Sequence, residues 1–292
     1  MQNYSQNLGI MINIKFALAH GYSALNPTTP SSHLDAELLL SLVLNMSRTA
    51  LYTHPETQLT TEQWQDYRHL IQERASGHPI AHLTNSKEFW SLPLHVTADT
   101  LIPRPETELL VELSLSLLGS VNDAHILDLG TGSGAIALAL ASERPAWNIQ
   151  AVDISEQALI IARKNAHALN LKQVHFSQSS WFASISPQSF DAIISNPPYI
   201  AENDPHLHQG DVRFEPLQAL TSGPDGLNAI TEIIKTGMSY LKPGGFLLIE
   251  HGFCQKDAIA ALFEEAGYIN IRHWSDLQGH DRVSGGFRAR SL

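Results

Sequence analysis

Three stretches of this 292-residue chain carry residue types that could do chemistry. The first is Asp128-Leu-Gly-Thr-Gly-Ser-Gly134, whose glycines permit a tight turn and let backbone approach a ligand closely. Where such a turn opens a helix, its free amides face the same space. The second is Asp153, about 20 positions beyond Gly130 and at the end of an apolar run. A carboxylate placed there can accept both hydroxyls of a ribose. Together the two stretches point to a nucleoside-containing cofactor. The spacing of Gly130, Gly132 and Ala135 also fits a G-x-G-x-x-A dinucleotide fingerprint, so the kind of nucleoside stays open here.

The third stretch is Asn196-Pro-Pro-Tyr199, which follows Phe190-Asp-Ala-Ile-Ile-Ser. Two prolines stiffen the backbone and cannot donate, so the Pro197 carbonyl is left as an acceptor beside the Asn196 side-chain oxygen. Two adjacent acceptors match one NH2 group. Tyr199 would offer a flat apolar wall for the planar group that bears it. The exocyclic amine of a flipped adenine or guanine would satisfy this arrangement, and the NH2-bearing substrate is otherwise left open.

Elements must hold these loops in place. From His125 onward the chain alternates between short apolar strands and amphipathic helices. Strands are expected at His125 to Leu129, Asn148 to Val152, Val174 to Ser177, Phe190 to Ser195, Gly245 to His251 and Tyr268 to Trp274. Helices fit at Gly134 to Ser142, Ser155 to Leu169, Gly226 to Leu241 and Lys256 to Ala266. Such alternation predicts an α/β fold, a mainly parallel sheet with helices on both faces and ligands at the carboxyl ends of its strands. The first 85 or so residues read instead as a small helical bundle. Leu34, Leu38, Leu42 and Met46 form a stripe at helical spacing, and Thr60 with Gln63 makes a capping box. The expected division is a helical domain at 1–85, an extended or hairpin linker at 86–104, and an α/β domain at 105–292.

Composition narrows the field. Hydrophobic residues make up 43% and charged ones 16%, as in an ordinary globular protein. The net charge of −11 divides unevenly, about −2 before Phe89 and −9 after it, which opposes binding to a phosphate backbone. A single cysteine, Cys254, makes no disulfide framework and is expected as a free buried thiol in a reducing compartment. The N-terminus lacks the basic start of a signal peptide, and no run approaches the length that spans a bilayer. A cytoplasmic protein with no membrane partner is expected. His206 and His208 lack further ligands around them, so no metal site is expected.

The motifs taken together resemble a known family. Asp128-Leu-Gly-Thr-Gly-Ser-Gly134 followed by Asn196-Pro-Pro-Tyr199 is similar to the S-adenosylmethionine-dependent amino-methyltransferases. Pro79-Ile-Ala-His-Leu83, Glu88-Phe-Trp-Ser-Leu-Pro-Leu94, Leu101-Ile-Pro-Arg-Pro-Glu-Thr-Glu108, Gln209-Gly-Asp-Val-Arg-Phe-Glu-Pro216 and Pro243-Gly-Gly-Phe-Leu-Leu-Ile-Glu-His-Gly252 narrow the likeness. They resemble the release factor glutamine methyltransferases of the PrmC/HemK type, over nearly the whole chain. The resemblance implies a Rossmann-like class I methyltransferase sheet behind a helical N-terminal domain that docks substrate. It implies S-adenosyl-L-methionine as cofactor, S-adenosyl-L-homocysteine as product, and class-one peptide chain release factors as the protein partner. The reaction implied is N5-methylation of the glutamine in their Gly-Gly-Gln motif.

By motif, Gly130, Thr131, Gly132, Ser133 and Gly134 would line the methionyl and ribose part of the cofactor, with Asp153 on the ribose hydroxyls. Trp181 would sit by the adenine, although a packed core aromatic is the alternative. Asn196, Pro197, Pro198 and Tyr199 would bind the substrate glutamine, with Asn196 also against the cofactor and Asn196, Pro197 and Tyr199 closest to the reaction. Ser180 stands where the family often has an acid, so no carboxylate contact from that position is expected. Arg104 and Glu106 suit either a helix-start ion pair or a pocket role. The Gly285-Gly-Phe-Arg-Ala-Arg ending is unlike the family's, and nothing is carried over to it. A nucleic-acid amino-methyltransferase, a nicotinamide-dependent oxidoreductase and a non-catalytic cofactor-binding protein remain as competing readings. The last of these keeps the ligand without turnover.

Overall fold

The computed structural model describes residues 12–119, 121–186 and 189–290, which form two compact units, 1–85 and 86–292. The N-terminal stretch read above for targeting signals lies largely outside the described residues. In the first unit, α1 (Ile14–Leu25), α2 (Ser32–Leu44), α3 (Arg48–Thr53), α4 (Thr61–Ala75) and α5 (Ile80–Thr84) enclose Ile14, Leu25, Leu39, Leu40, Leu51 and Tyr67. Local capping fixes where several of them begin. Asn13 accepts from the Phe16 amide, Ser47 from the Ala50 amide, and Thr60 and Gln63 cap each other reciprocally.

The expected face of α2 is rotated. Leu34 and Leu42 are 42% and 46% exposed, whereas Ala36, Leu39 and Leu40 are fully buried. Leucine and valine fill almost every position from 38 to 44, so periodicity alone could not fix the phase. Two buried acids fix it instead. Asp35 receives the Arg74 guanidinium at 2.7 Å, and Glu37 pairs with Arg48 and accepts from Tyr52. A buried carboxylate left without its cation would cost several kcal/mol.

The second unit opens with a hairpin of β1 (Ser86–Phe89) and β2 (Leu92–His95), followed by α6 (Glu108–Leu118). Then come β3 (His125–Leu129), α7 (Ala135–Glu143), β4 (Asn148–Asp153), α8 (Glu156–Ala168), β5 (Val174–Gln178) and β6 (Phe190–Ser195). The chain closes with α9 (Asn228–Gly237), β7 (Leu241–Glu250), α10 (Lys256–Glu265), β8 (Ile269–Ser275) and β9 (Asp281–Phe287). Seven strands form one sheet in the order β5-β4-β3-β6-β7-β9-β8, with β3 to β7 parallel and the last two antiparallel.

Successive strand residues feed opposite cores. Ile126, Ala151, Ile194 and Leu248 pack on one side with the buried residues 135–141 of α7, while Leu127, Val152, Ile193 and Leu247 pack on the other with α9 and α10. Burial on both faces explains the continuous apolar runs of these strands. No described helix is long and apolar enough to cross a membrane.

The chain's last strand was not expected. β9 inserts between β7 and β8 through the Gly285-Gly286 segment, which carries too little apolar character to read as a strand. Its glycines are demanded by neighbours. A Cβ on Gly286 would stand 2.8 Å from Phe263 Cδ1 and from Tyr268 Cβ, both in the core. Gly286→Ala is therefore expected to destabilise the protein by about 1–3 kcal/mol through overpacking, read as a lowered midpoint in thermal unfolding. An unchanged midpoint would refute this account of the glycine.

Candidate active site

One register brings the chemistry together. Leu129 of β3 pairs with Val152 of β4 and with Ser195 of β6, and Ser195 pairs with Ile249 of β7. The next residues along these parallel strands are Gly130, Asp153, Asn196 and Glu250. All four therefore emerge at one edge of the sheet.

Gly130 turns with φ of +73°, a region costly for other residues. Its missing Cβ would lie 3.4 Å from the Trp181 ring, so the aromatic lies directly over the turn. The amide of Gly132 donates to Asp153 Oδ2 at 2.8 Å, and the Ser155 amide donates to Oδ1 at 2.9 Å. Burial pushes the Asp153 carboxyl up, and these backbone donors oppose that rise. Gly134 has another purpose. Its Cβ would lie 3.0 Å from Leu138 and 3.3 Å from Ala162, so it lets α7 approach α8, and it lines no cavity described here.

A cavity of about 190 Å³ opens beside this turn. Gly130, Gly132, Asp153, Trp181, Asn196 and Pro198 all line it. A smaller one of about 50 Å³ adjoins, lined by Arg104, Thr107, Thr131, Ser133 and again Asn196. Trp181 also packs against the core beneath, so the pocket and packing readings both describe it. Ser180 is exposed at the cavity and brings no carboxylate to it.

Thr131 and Ser133 are buried at 6% and 2% exposure. The Thr131 hydroxyl donates to Asp128 Oδ2 at 2.7 Å, and the Ser133 carbonyl accepts from Asn165 Nδ2 at 2.9 Å. Asn165 also exchanges hydrogen bonds with both backbone groups of His95, tying the hairpin to the glycine turn. No sequence motif marks Asn165, which lies within an unremarkable helix, α8.

Asn196 donates from Nδ2 to Thr107 Oγ1 at 3.1 Å. Pro197 and Tyr199 line neither cavity, so the expected aromatic wall is not on the cavity surface. The Tyr199 hydroxyl instead donates to Glu250 Oε1 at 3.3 Å, and burial with the nearby Glu250 charge pushes the phenol up. Glu250 is itself fully buried, which pushes its carboxyl up to about 7 against the hydrogen bond from Tyr199 and the charge of Arg282. Its Oε2 has no hydrogen-bond partner.

Arg104 does not pair with Glu106 at the helix start. Its guanidinium meets the buried Glu215, which also accepts from the Ile102 amide at 2.9 Å. The pair ties two segments that flank the larger cavity, Asp99 to Leu101 and Pro216 to Ala219. Sequence reasoning missed Asp99, Thr100 and Gln218 as lining residues, since none belongs to a chemical motif.

His206 faces Asp204 at 2.7 Å in a short 3₁₀ turn, and among the described residues no group of three or more His, Cys, Asp or Glu could hold a metal. Cys254 is exposed rather than buried, because it lies in the turn between β7 and α10 instead of an apolar run.

Residues 17–84 match the model of the PrmC N-terminal domain, and residues 106–211 match that of the methyltransferase small domain. The chain is 50% identical over 270 residues to the release factor glutamine methyltransferase of Shewanella oneidensis, covering 92% of this chain and 94% of that one. It is also 50% identical over 254 residues to that of Escherichia coli, covering 87% and 91%. Among solved structures, a T. thermophilus rRNA methyltransferase, RsmC, in complex with AdoMet and guanosine aligns with a TM-score of 0.51 at 19% identity. That alignment covers 70% of this chain and 49% of the other, and shows a shared fold.

Asp128 generates a pH prediction. Burial pushes its carboxyl up to about 7, and its Oδ1 has no partner. Between the ordinary carboxylate range and about 7 the folded state binds a proton that the unfolded state has released, so stability falls as pH rises through this window. Asp128→Asn, which stays neutral, is expected to flatten thermal midpoints measured from pH 5 to 8. An equally steep decline in that variant would remove Asp128 as a source.

Proposed function

The chain belongs to the release factor glutamine methyltransferases, and we propose that it methylates N5 of the glutamine in the Gly-Gly-Gln motif of class-one peptide chain release factors. One observation carries the reading at the level of atoms. Asn196 lines the cavity flanked by Asp153 and Trp181, while its amide nitrogen is already engaged by Thr107. Its oxygen is left as an acceptor at that cavity.

S-adenosyl-L-methionine is the proposed methyl source, and the residues present fit it. Each Asp153 oxygen already takes one backbone donor and retains capacity for a ribose hydroxyl. Trp181 presents a flat face beside Gly130, and a Cβ on Gly132 would meet nothing within 4 Å, leaving room at the turn. When bound, the cofactor supplies a methyl group activated by its sulfonium and leaves as S-adenosyl-L-homocysteine.

The chain's own residues contribute alignment. An amide nitrogen is a poor nucleophile because its lone pair is delocalised into the carbonyl. Asn196 Oδ1 and the Pro197 carbonyl would take the two N–H groups of the glutamine, aim its nitrogen, and favour positive charge building there. Pro198 stiffens the loop that holds both acceptors. No strong base is needed beforehand, because the nitrogen becomes acidic only as the new bond forms. Tyr199, hydrogen-bonded to Glu250, braces this loop from outside the cavity. Such a substrate places the enzyme in the cytoplasm, and the charge of the second unit disfavours nucleic acid as an alternative acceptor.

Mass spectrometry of a release factor incubated with the protein and S-adenosyl-L-methionine is expected to find one added methyl on the Gly-Gly-Gln glutamine. Methyl transfer to nucleic acid instead would overturn the proposal. Asn196→Ala is expected to keep cofactor affinity while turnover falls by about 100-fold or more. Near-normal methylation would discard its role. Asp153→Ala is expected to weaken the cofactor by about 10- to 100-fold in calorimetry, and unchanged affinity would take Asp153 out of the site.

A further inference from the structure

We infer that Asn165 is a positioning residue for the cofactor cavity, a buried carboxamide on α8 that holds two walls of the cavity at a fixed spacing. The inference rests on the proposed S-adenosyl-L-methionine site. One wall is the glycine turn, whose Gly130, Gly132 and Ser133 line the two adjoining cavities. The other is the segment Asp99 to Leu101, a few residues beyond the hairpin. The hairpin forms its own two-stranded sheet, so no ladder joins it to the strands that end at the turn. Side chains must set the spacing instead.

Asn165 does so with three hydrogen bonds. Its Oδ1 accepts from the His95 amide at 2.7 Å, and its Nδ2 donates to the His95 carbonyl at 3.0 Å and to the Ser133 carbonyl at 2.9 Å. All three partners are backbone groups, an amide that only donates and two carbonyls that only accept. Turning the carboxamide over would therefore break every one of the bonds. Asn165 and Ser133 are each 2% exposed, so water has little access to replace them.

Each bond reaches a wall through few residues. Beyond His95, Val96 is fully buried, and the Thr100 amide closes a turn on the Thr97 carbonyl at 3.2 Å, which presents Asp99 and Thr100 to the cavity. On the other side, the glycine turn is tied to the Val152 carbonyl through Gly130 and Thr131, to Asp153 through Gly132, and to Asn165 through Ser133. One face of α8 runs along the site. Ala158 lines the cavity, Ala162 stands 3.3 Å from where a Gly134 Cβ would be, and Asn165 follows at helical spacing. Asn165 is the one polar side chain among the buried residues of α8. An apolar residue would bury there at less cost but would strand the Ser133 and His95 groups.

Loss of the carboxamide falls on cofactor binding. Gly132, at φ of +56° with nothing within 4 Å of its Cβ position, gives the turn freedom to shift, whereas Asn196 stands on the end of another strand. Asn165→Ala is expected to raise the Kd of S-adenosyl-L-homocysteine in calorimetry, and the KM for S-adenosyl-L-methionine, by about 10-fold. The kcat at saturating cofactor and the KM for release factor are expected to stay within about threefold of the parent. Gly286→Ala is the control, since it lowers the thermal midpoint at a glycine that lines neither cavity, and its Kd is expected to stay within about threefold. An equal loss of affinity in both variants, or a lowered midpoint in Asn165→Ala with an unchanged Kd, would overturn the inference and leave Asn165 as packing.

Should Asn165→Ala not fold, hydrogen exchange in the parent protein answers the same question, because coupling between two sites is reciprocal. Saturating S-adenosyl-L-homocysteine is expected to slow exchange of the His95 amide by about 10-fold more than that of the β9 amides. Slowing no greater than that of β9 would overturn the inference. Absence of S-adenosyl-L-homocysteine binding by the parent would instead defeat the underlying cofactor reading, so the two failures are told apart.

Discussion

Parallel strands in register must end together, and the rest of the structure depends on that constraint. Val152, Leu129, Ser195 and Ile249 form one row across β4, β3, β6 and β7. At Gly130 and Asn196 the backbone leaves the ladder and its polar groups must find partners elsewhere, while Asp153 and Glu250 close β4 and β7 still paired with Gln178 and Val283. The Gly130 and Thr131 amides return to the Val152 carbonyl, and the Ser195 hydroxyl reaches the Leu129 carbonyl at 2.8 Å. These cross-links are internal to the sheet edge and leave the side chains of Asp153 and Asn196 to face the cavity. A slip of one residue in any strand would turn its apolar set to the opposite core, so the packing of both cores and the placement of the site are enforced by the same pairing.

The same edge holds two buried carboxylates, Asp128 and Glu250, each pushed up to about 7 by loss of water. Neither has an adjacent cation sufficient to restore an ordinary acidity. Hydrophobic residues of similar size would avoid that cost, since buried charge is a poor source of stability. Their partners suggest what offsets it. Asp128 accepts from Thr131 inside the glycine turn, and Glu250 accepts from Tyr199 of the Asn196 loop. In each case a carboxylate sets the direction of a hydroxyl, and the hydroxyl belongs to a segment that lines or braces the cavity. Arg104 and Glu215 do similar work between two other segments, there with a full ion pair.

Sequence made the sheet and its loops legible because their signals are local. Five apolar runs gave β3 to β7 in order, and glycine, aspartate and Asn-Pro-Pro-Tyr followed at their ends. Features decided by distant partners were not legible. The face of α2 is set by Arg48 and Arg74 acting on Glu37 and Asp35, while its own leucines fit several phases. β9 escapes because two glycines replace the apolar alternation, and their smallness has meaning only beside Phe263, Tyr268 and Leu248. Tyr199 looked like a wall because an aromatic beside two prolines fits a planar ligand, but its hydroxyl is claimed by Glu250, 51 positions away. Gly134 belonged to a recognisable motif, yet its neighbours are helix side chains.

Recognition of a carboxamide by acceptors raises a difficulty that recognition of a ribose does not. Asp153 presents oxygen whichever way it turns, and two backbone amides suffice to fix it. Asn196 presents oxygen in only one of two nearly isosteric orientations. A carboxylate in its place would accept equally well, but its full charge would have to be desolvated when the substrate covers it. With Nδ2 held 3.1 Å from Thr107 Oγ1, the neutral oxygen of Asn196 is the end left for the cavity, and a carboxamide can there hold a carboxamide.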